Sequence, residues 1–205
     1  MKHRIFIAIN LPENVRKKLE DYQRKWPELP IRWTKSYNLH VTLVFLGYLS
    51  DEEILEVCSV AREAASRNSQ FSINLKKIIY GPPQKMPPRM IWVEGEKSIE
   101  LGKLQKDLNN SFSGFSQESK SEPQRDGKER IFFDSENRKG GAFAPHITLG
   151  RLKSWEFRAI EPEARPEVKE EIDLNFEVNS IDVMESELKR GGPSYTLLES
   201  CPLKS

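Results

Sequence analysis

One tetrapeptide frame occurs twice in this chain, as His40-Val41-Thr42-Leu43 and again as His146-Ile147-Thr148-Leu149. The 205 residues contain three histidines and four threonines, and two of each fall in this frame. Both copies lie in apolar runs that alternate with period two, the pattern of a half-buried strand. Residues i and i+2 of a strand project from the same face. His40 therefore stands beside Thr42, and His146 beside Thr148. Two such strands brought together present two imidazoles and two hydroxyls to one small polar site. Any fold for this chain has to make that meeting possible.

The order of elements around the two copies repeats. Residues 4–9 read as a strand, Pro12 opens a helix to about residue 26, and residues 39–46 form the first His-x-Thr strand, ended by Gly47. Ser50 and Glu53 have capping-box spacing for a helix over 51–66, with Ile54, Leu55, Val57 and Val60 apolar. A strand over 71–80 follows. The proline-rich stretch 81–88 is a loop. Then strand (89–95), helix (98–112, apolar at Ile99, Leu101, Leu104 and Leu108) and second His-x-Thr strand (145–151) recur. Residues 113–141 are polar around Ile131-Phe132-Phe133 and read as an inserted surface loop; their six basic and six acidic residues balance. A short helix near 163–170, a strand over 172–186, a turn at Gly191-Gly192-Pro193 and a strand over 194–199 complete the chain. Two similar lobes with a cleft between them would set the motifs face to face in one domain spanning 1–205.

Composition narrows the partners. Charged residues are 31% of the chain yet cancel to a formal +1, so an anionic ligand has to be held by local charge rather than by the field of the whole molecule. Cys58 and Cys201 read as reduced thiols of a cytoplasmic protein. No apolar run reaches membrane-spanning length.

Two imidazoles on opposite sides of a phosphorus centre can serve one in-line displacement, one activating water or a hydroxyl and the other protonating the departing oxygen. The threonine hydroxyls can hold non-bridging phosphate oxygens. Arg151 would share the face of Leu149 in a regular strand, but from the strand end its guanidinium could swing in to clamp a phosphate. No histidine or cysteine spacing suited to a metal accompanies the two histidines, and neither a Gly-x-Ser-x-Gly elbow nor a Walker-type loop occurs. Phe45, Tyr48 and Trp92 are candidates for base stacking, with core packing the rival reading for Phe45 and Trp92.

At these residues the chain resembles the two-histidine (2H) phosphoesterases, and within them the RNA 2',3'-cyclic phosphodiesterases, once named 2'-5' RNA ligases. The likeness rests on the two tetrapeptides with their flanks. These are Arg4 to Pro12, Ile31-Arg32-Trp33, Asn38 to Leu43 with Phe45-Leu46-Gly47, Ala144 to Arg151, and Ser186-Glu187-Leu188 with Gly192-Pro193 and Tyr195. The resemblance implies an α+β, bilobal fold with two antiparallel sheets around a cleft. It implies metal- and cofactor-independent opening of an RNA 2',3'-cyclic phosphate to a 2'-phosphate, with 2'-5' ligation as a possible side activity. His40 would be the proton donor to the leaving 3' oxygen and His146 the proton acceptor that activates water, although these two roles can be exchanged. Thr42, Thr148 and Arg151 would bind the phosphate, and the expected molecule is a cytoplasmic monomer acting on RNA ends. A phosphodiesterase for small cyclic nucleotides or ADP-ribose cyclic phosphate, and an RNA-end-binding module without turnover, are the alternatives. Val44 stands where many relatives carry a lysine.

Overall fold

A computed structural model describes residues 2–83, 86–113, 145–190 and 192–205. The expected loop over 113–141 therefore lies, apart from Ser113, outside the described residues. Nine strands are described. They are β1 (His3–Asn10), β2 (Ile31–Trp33), β3 (His40–Leu49), β4 (Phe71–Gly81), β5 (Met90–Gly95), β6 (His146–Leu152), β7 (Lys169–Val178), β8 (Ser180–Lys189) and β9 (Gly192–Pro202). The α-helices are α1 (Glu13–Gln23), α2 (Asp51–Arg67), α3 (Ile99–Ser111) and the short α4 (Ser154–Arg158).

Local chemistry places the long helices as the sequence suggests. Pro12 caps α1, whose Val15 and Leu19 are buried. Before α2 the Ser50 amide donates to Glu53 at 2.6 Å and the Glu53 amide to the Ser50 hydroxyl at 3.3 Å, a complete capping box. Ser98 caps α3 by accepting from the Leu101 amide at 3.0 Å. Two apolar positions expected on buried faces are in fact exposed: Leu55 of α2 and Ile99 of α3. The buried stripe of α2 runs through Val57, Cys58, Ala61, Ala64 and Ala65, on another side of the helix from Leu55. Ile99 is the first residue of its helix, ahead of the stripe Leu101, Leu104 and Leu108.

All strand pairs are antiparallel, in the order β7-β4-β5-β6-β3-β1-β8-β9, with β2 beside β6. The α+β class is as expected, but the two separate sheets are not: one sheet runs through the molecule. Its halves meet at a single register pair, Val41 opposite Ile147. Each half has four strands on the main path, so the two-part arrangement survives as one sheet with a narrow waist. The expected strand over 172–186 is two strands, β7 and β8, which part at Asn179 and lie at opposite sides of the sheet. The helix expected near 163–170 is replaced by α4 and a 3-10 turn at Pro162–Ala164, and residues from Lys169 onward already pair as β7.

One face of the sheet carries the main core. Ile5, Ile7 and Ile9 of β1 join Leu43 and Val44 of β3, Ile147 and Leu149 of β6, and the buried positions of α1, α2 and α3. Burial of such side chains is the main favourable term in folding, about 25 cal/mol per Å² of apolar surface. The opposite face has a small cluster of its own, Phe6, Ala8 and Met184, with Phe45 and Tyr195 packed against it. No helix covers this second cluster among the described residues, and the His-x-Thr motifs open onto it.

Candidate active site

β3 and β6 are built alike. On β3 the partners along β1 run Ala8–Thr42, Ile7–Val44, Phe6–Phe45, so Leu43 is an extra residue. On β6 the partners along β5 run Trp92–Thr148, Ile91–Gly150, Met90–Arg151, so Leu149 is an extra residue. Each His-x-Thr-Leu thus ends in a β-bulge at its leucine. A bulge inserts one unpaired residue and resets the alternation. Val44 and Gly150 then turn to the core, and Phe45 and Arg151 return to the face of the histidines. The expectation that Arg151 shares the face of Leu149 is corrected by this bulge, and Val44 is buried away from the site. The carbonyl of the second bulge is satisfied: Leu149 O accepts from the Thr34 amide at 2.8 Å and from buried Gln23 Nε2 at 3.1 Å. β3 bulges again at Leu46, where Gly47 has φ +90°, so the strand continues to Leu49 instead of ending at Gly47.

Because Val41 faces Ile147, continuing the antiparallel register sets His40 across from Thr148 and Thr42 across from His146. All four project from the face opposite the Val41–Ile147 pair. The two histidines are diagonal neighbours, about 7–8 Å apart at the backbone. They sense one another: charge on His146 disfavours charge on His40.

The rings are held differently. His40 Nδ1 donates to the Asn38 carbonyl at 2.8 Å, which leaves Nε2 as the acceptor for the Thr42 hydroxyl at 3.0 Å. Tyr195 meets the His40 ring edge-on with centroids 5.1 Å apart, and Phe6 lies at 5.1 Å on a tilt. Burial, with help from His146 and Arg151, pushes the His40 imidazole down to about 4 against the pull of the Asn38 carbonyl. His146 lies flat on the buried indole of Trp92, centroids 3.7 Å apart and planes at 17°. Trp92 in turn fills the space beside Gly81, where a Cβ would come within 2.3 Å of the indole. Core packing, the rival role for Trp92, is thus combined with a platform under a motif histidine.

Arg151 places Nη1 3.5 Å from Met90 Sδ. Burial disfavours its charge, and it lies close enough to Tyr195 to be felt there. Two residues absent from the sequence-based set belong on this face. Arg4 stands across β1 and β3 from Tyr48, and its charge acts on Tyr195. Tyr195 links the Arg4, Arg151 and His40 groups. The signal for Arg4 was in the sequence: Ile5, Ile7 and Ile9 alternate with Arg4, Phe6, Ala8 and Asn10, a second face carrying polar residues at both ends. Of the stacking candidates, Phe45 packs 5.6 Å from Phe6 within the small cluster, and Tyr48 is 54% exposed at the rim. Among the described residues no group of three or more His, Cys, Asp and Glu is placed to hold a metal ion, and no helix is long and apolar enough to cross a membrane.

This arrangement can bind an anion and move protons on two sides of it. The similarities of the chain agree with that chemistry. A Thermotoga maritima protein named RNA 2',3'-cyclic phosphodiesterase is 29% identical over 205 residues, spanning 97% of this chain and 94% of its own. A Thermus thermophilus protein of the same name is 29% identical over 210 residues, spanning 98% and 90%. The crystal structure of TT0787 from Thermus thermophilus superposes with a TM-score of 0.75 at 27% identity, covering 98% of each chain. The sequence model of the LigT-like phosphoesterases matches residues 9–92 and 130–195, which include both motifs, and the chain belongs to that family.

Proposed function

We propose that the protein hydrolyses RNA 2',3'-cyclic phosphate ends to 2'-phosphates by metal-independent acid–base catalysis between His40 and His146. The observation that carries this reading is the register of the waist: Val41 opposite Ile147 gathers two imidazoles and two threonine hydroxyls on one face. The names of the relatives supply the substrate class.

In this mechanism the non-bridging oxygens of the cyclic phosphate accept from Thr42, Thr148 and Arg151. Water attacks phosphorus on the His146 side and gives up its proton to His146. The P–O3' bond breaks, and the 3' oxygen takes a proton from Nε2 of His40. One water is consumed, and the 2'-phosphate and a free 3'-hydroxyl result. The Asn38 carbonyl holds Nδ1–H and so directs Nε2 at the substrate. In the ligand-free protein Nε2 is unprotonated and accepts from Thr42. The substrate's negative charge offsets the burial that depresses His40, so proton uptake accompanies binding. Once Nε2 carries a proton, the Thr42 hydroxyl is released to the phosphate.

The test is phosphorus NMR of a cyclic-phosphate-ended oligonucleotide incubated with the protein in excess chelator. The expected product is a 2'-phosphate. An unchanged cyclic phosphate under conditions of tight binding would identify a binding module, and turnover abolished by chelator alone would replace proton transfer with metal chemistry.

A further inference from the structure

β2 lies along the same edge of β6 as β3 does, and it carries Arg32 directly opposite Arg151. Its neighbours Ile31 and Trp33 pack against the main core. A Cβ on Gly150, across from Trp33, would come within 2.6 Å of Ile31 and 2.9 Å of Trp33, which fixes the core side of this strand. Arg32 therefore shares the face of Arg151 and is exposed. Two like charges opposite one another on a ladder destabilise the pair, and Arg32 indeed disfavours the charge of Arg151. Arg32 makes no ion pair with a carboxylate among the described residues. The fold thus keeps an uncompensated cation pair beside a site that the chemistry assigns to an anion.

The two guanidiniums do not address the same place. Arg151 is half-buried and within electrostatic reach of His40 and Tyr195, whereas Arg32 is exposed and stands one strand further out, about 4.8 Å away at the backbone. The chain then runs from β2 through a 3-10 turn (Ser36–Asn38) into His40. On that connection stand exposed Lys35 and Tyr37, the latter 60% exposed, with Lys35 Nζ 5.6 Å from the tyrosine ring. Cations interleaved with an aromatic face are what single-stranded nucleic acid binds, phosphates to the former and a base to the latter.

We infer that Arg32 holds the phosphodiester one nucleotide before the terminal cyclic phosphate, so that the substrate class is an oligonucleotide end rather than a mononucleotide. This rests on the activity proposed above. Arg151 serves the reacting phosphate and Arg32 the next one along the strand.

The experiment compares kcat/KM for a dinucleotide ending in a 2',3'-cyclic phosphate with that for a nucleoside 2',3'-cyclic phosphate, in the natural protein, Arg32→Gln and Arg32→Lys. The natural protein is expected to prefer the dinucleotide. Arg32→Gln is expected to lower that preference about five- to tenfold and to reduce the salt slope of dinucleotide binding by about one, while Arg32→Lys retains most of it. Equal losses on both substrates, or no loss on either, would overturn the inference, the first by assigning Arg32 to the reacting phosphate. Affinities for the matching 2'-phosphate products, measured in parallel, keep the two readings apart. If neither cyclic phosphate is turned over, the proposed activity fails while product binding still reports on Arg32, and an Arg32→Gln protein that discriminates the two products as the natural one does would overturn the inference by itself.

Discussion

The two walls of the site share a backbone and differ in what stands on it. Each has a histidine, a threonine and a leucine bulge in the same places. After the bulge the first wall presents Phe45 and the second presents Arg151. Around the first histidine stand Tyr195, edge-on, and Phe6, tilted, with a carbonyl fixing one ring nitrogen. Under the second is a flat indole. Across from His146, Glu94 is paired with Lys77 at 3.0 Å, whereas His40 faces Asn10, which donates to buried Asp182 at 2.8 Å. The repeated strand pattern places four polar groups together. The residue after the bulge, Phe45 on one wall and Arg151 on the other, makes the first apolar and the second cationic.

That comparison can be broken in several ways. The largest effect should come from the shared part. His40→Ala and His146→Ala should each lower kcat by about 100- to 10,000-fold with the fold intact by circular dichroism; full turnover by either would remove the symmetry of roles. The divergent residues come next. Arg151→Gln should cost about 100-fold in kcat/KM, as loss of one preorganised donor does elsewhere, while Phe45→Leu should cost less than about tenfold, since it removes no donor to the phosphate. Equal losses would mean that the walls are not specialised. Exchanging the residue inside the bulge tests packing instead of chemistry. Gly150→Val imports the residue that Val44 supplies on the other wall, but its Cβ meets Ile31 and Trp33. It should destabilise the protein by about 1–3 kcal/mol in urea unfolding.

The last effect is read by pH at His40 alone. His40 titrates at about 4 in the native protein against about 6.5 when unfolded. As pH falls from above 6.5 toward 4 the unfolded chain takes up a proton that the native state refuses, so stability is lost in that window, by at most about 3 kcal/mol. His40→Gln should make the fall in urea midpoint between about pH 7 and pH 4 shallower; an unchanged slope would show that His40 is not depressed.

Much of this was legible in the letters. Strict alternation around each motif paired His40 with Thr42 and His146 with Thr148, and the recurring strand–helix–strand order implied that the motifs would meet. Period two also misled, because a bulge is invisible to it: Arg151 reads as a neighbour of Leu149 until one extra residue is allowed. The three-residue β2 is too short to carry a periodic signal, yet it brings Arg32 to Arg151. The alternating stretch 172–186 contains no glycine or proline to show that it divides at Asn179 between opposite sides of the sheet. Tyr195 and Arg4 reach the site only through long-range pairing of β1 with β3 and β8, and of β8 with β9.

The central claim is that two similar histidines do opposite jobs on one phosphate. A cyclic substrate whose 3' bridging oxygen is replaced by sulfur tests it most directly, because a thiolate leaves without being protonated. The account predicts that His40→Ala, crippled on the natural ester, recovers most of its rate on the sulfur substrate, while His146→Ala does not. Recovery by His146→Ala alone would exchange the two roles, and recovery by neither or by both would contradict paired acid–base catalysis.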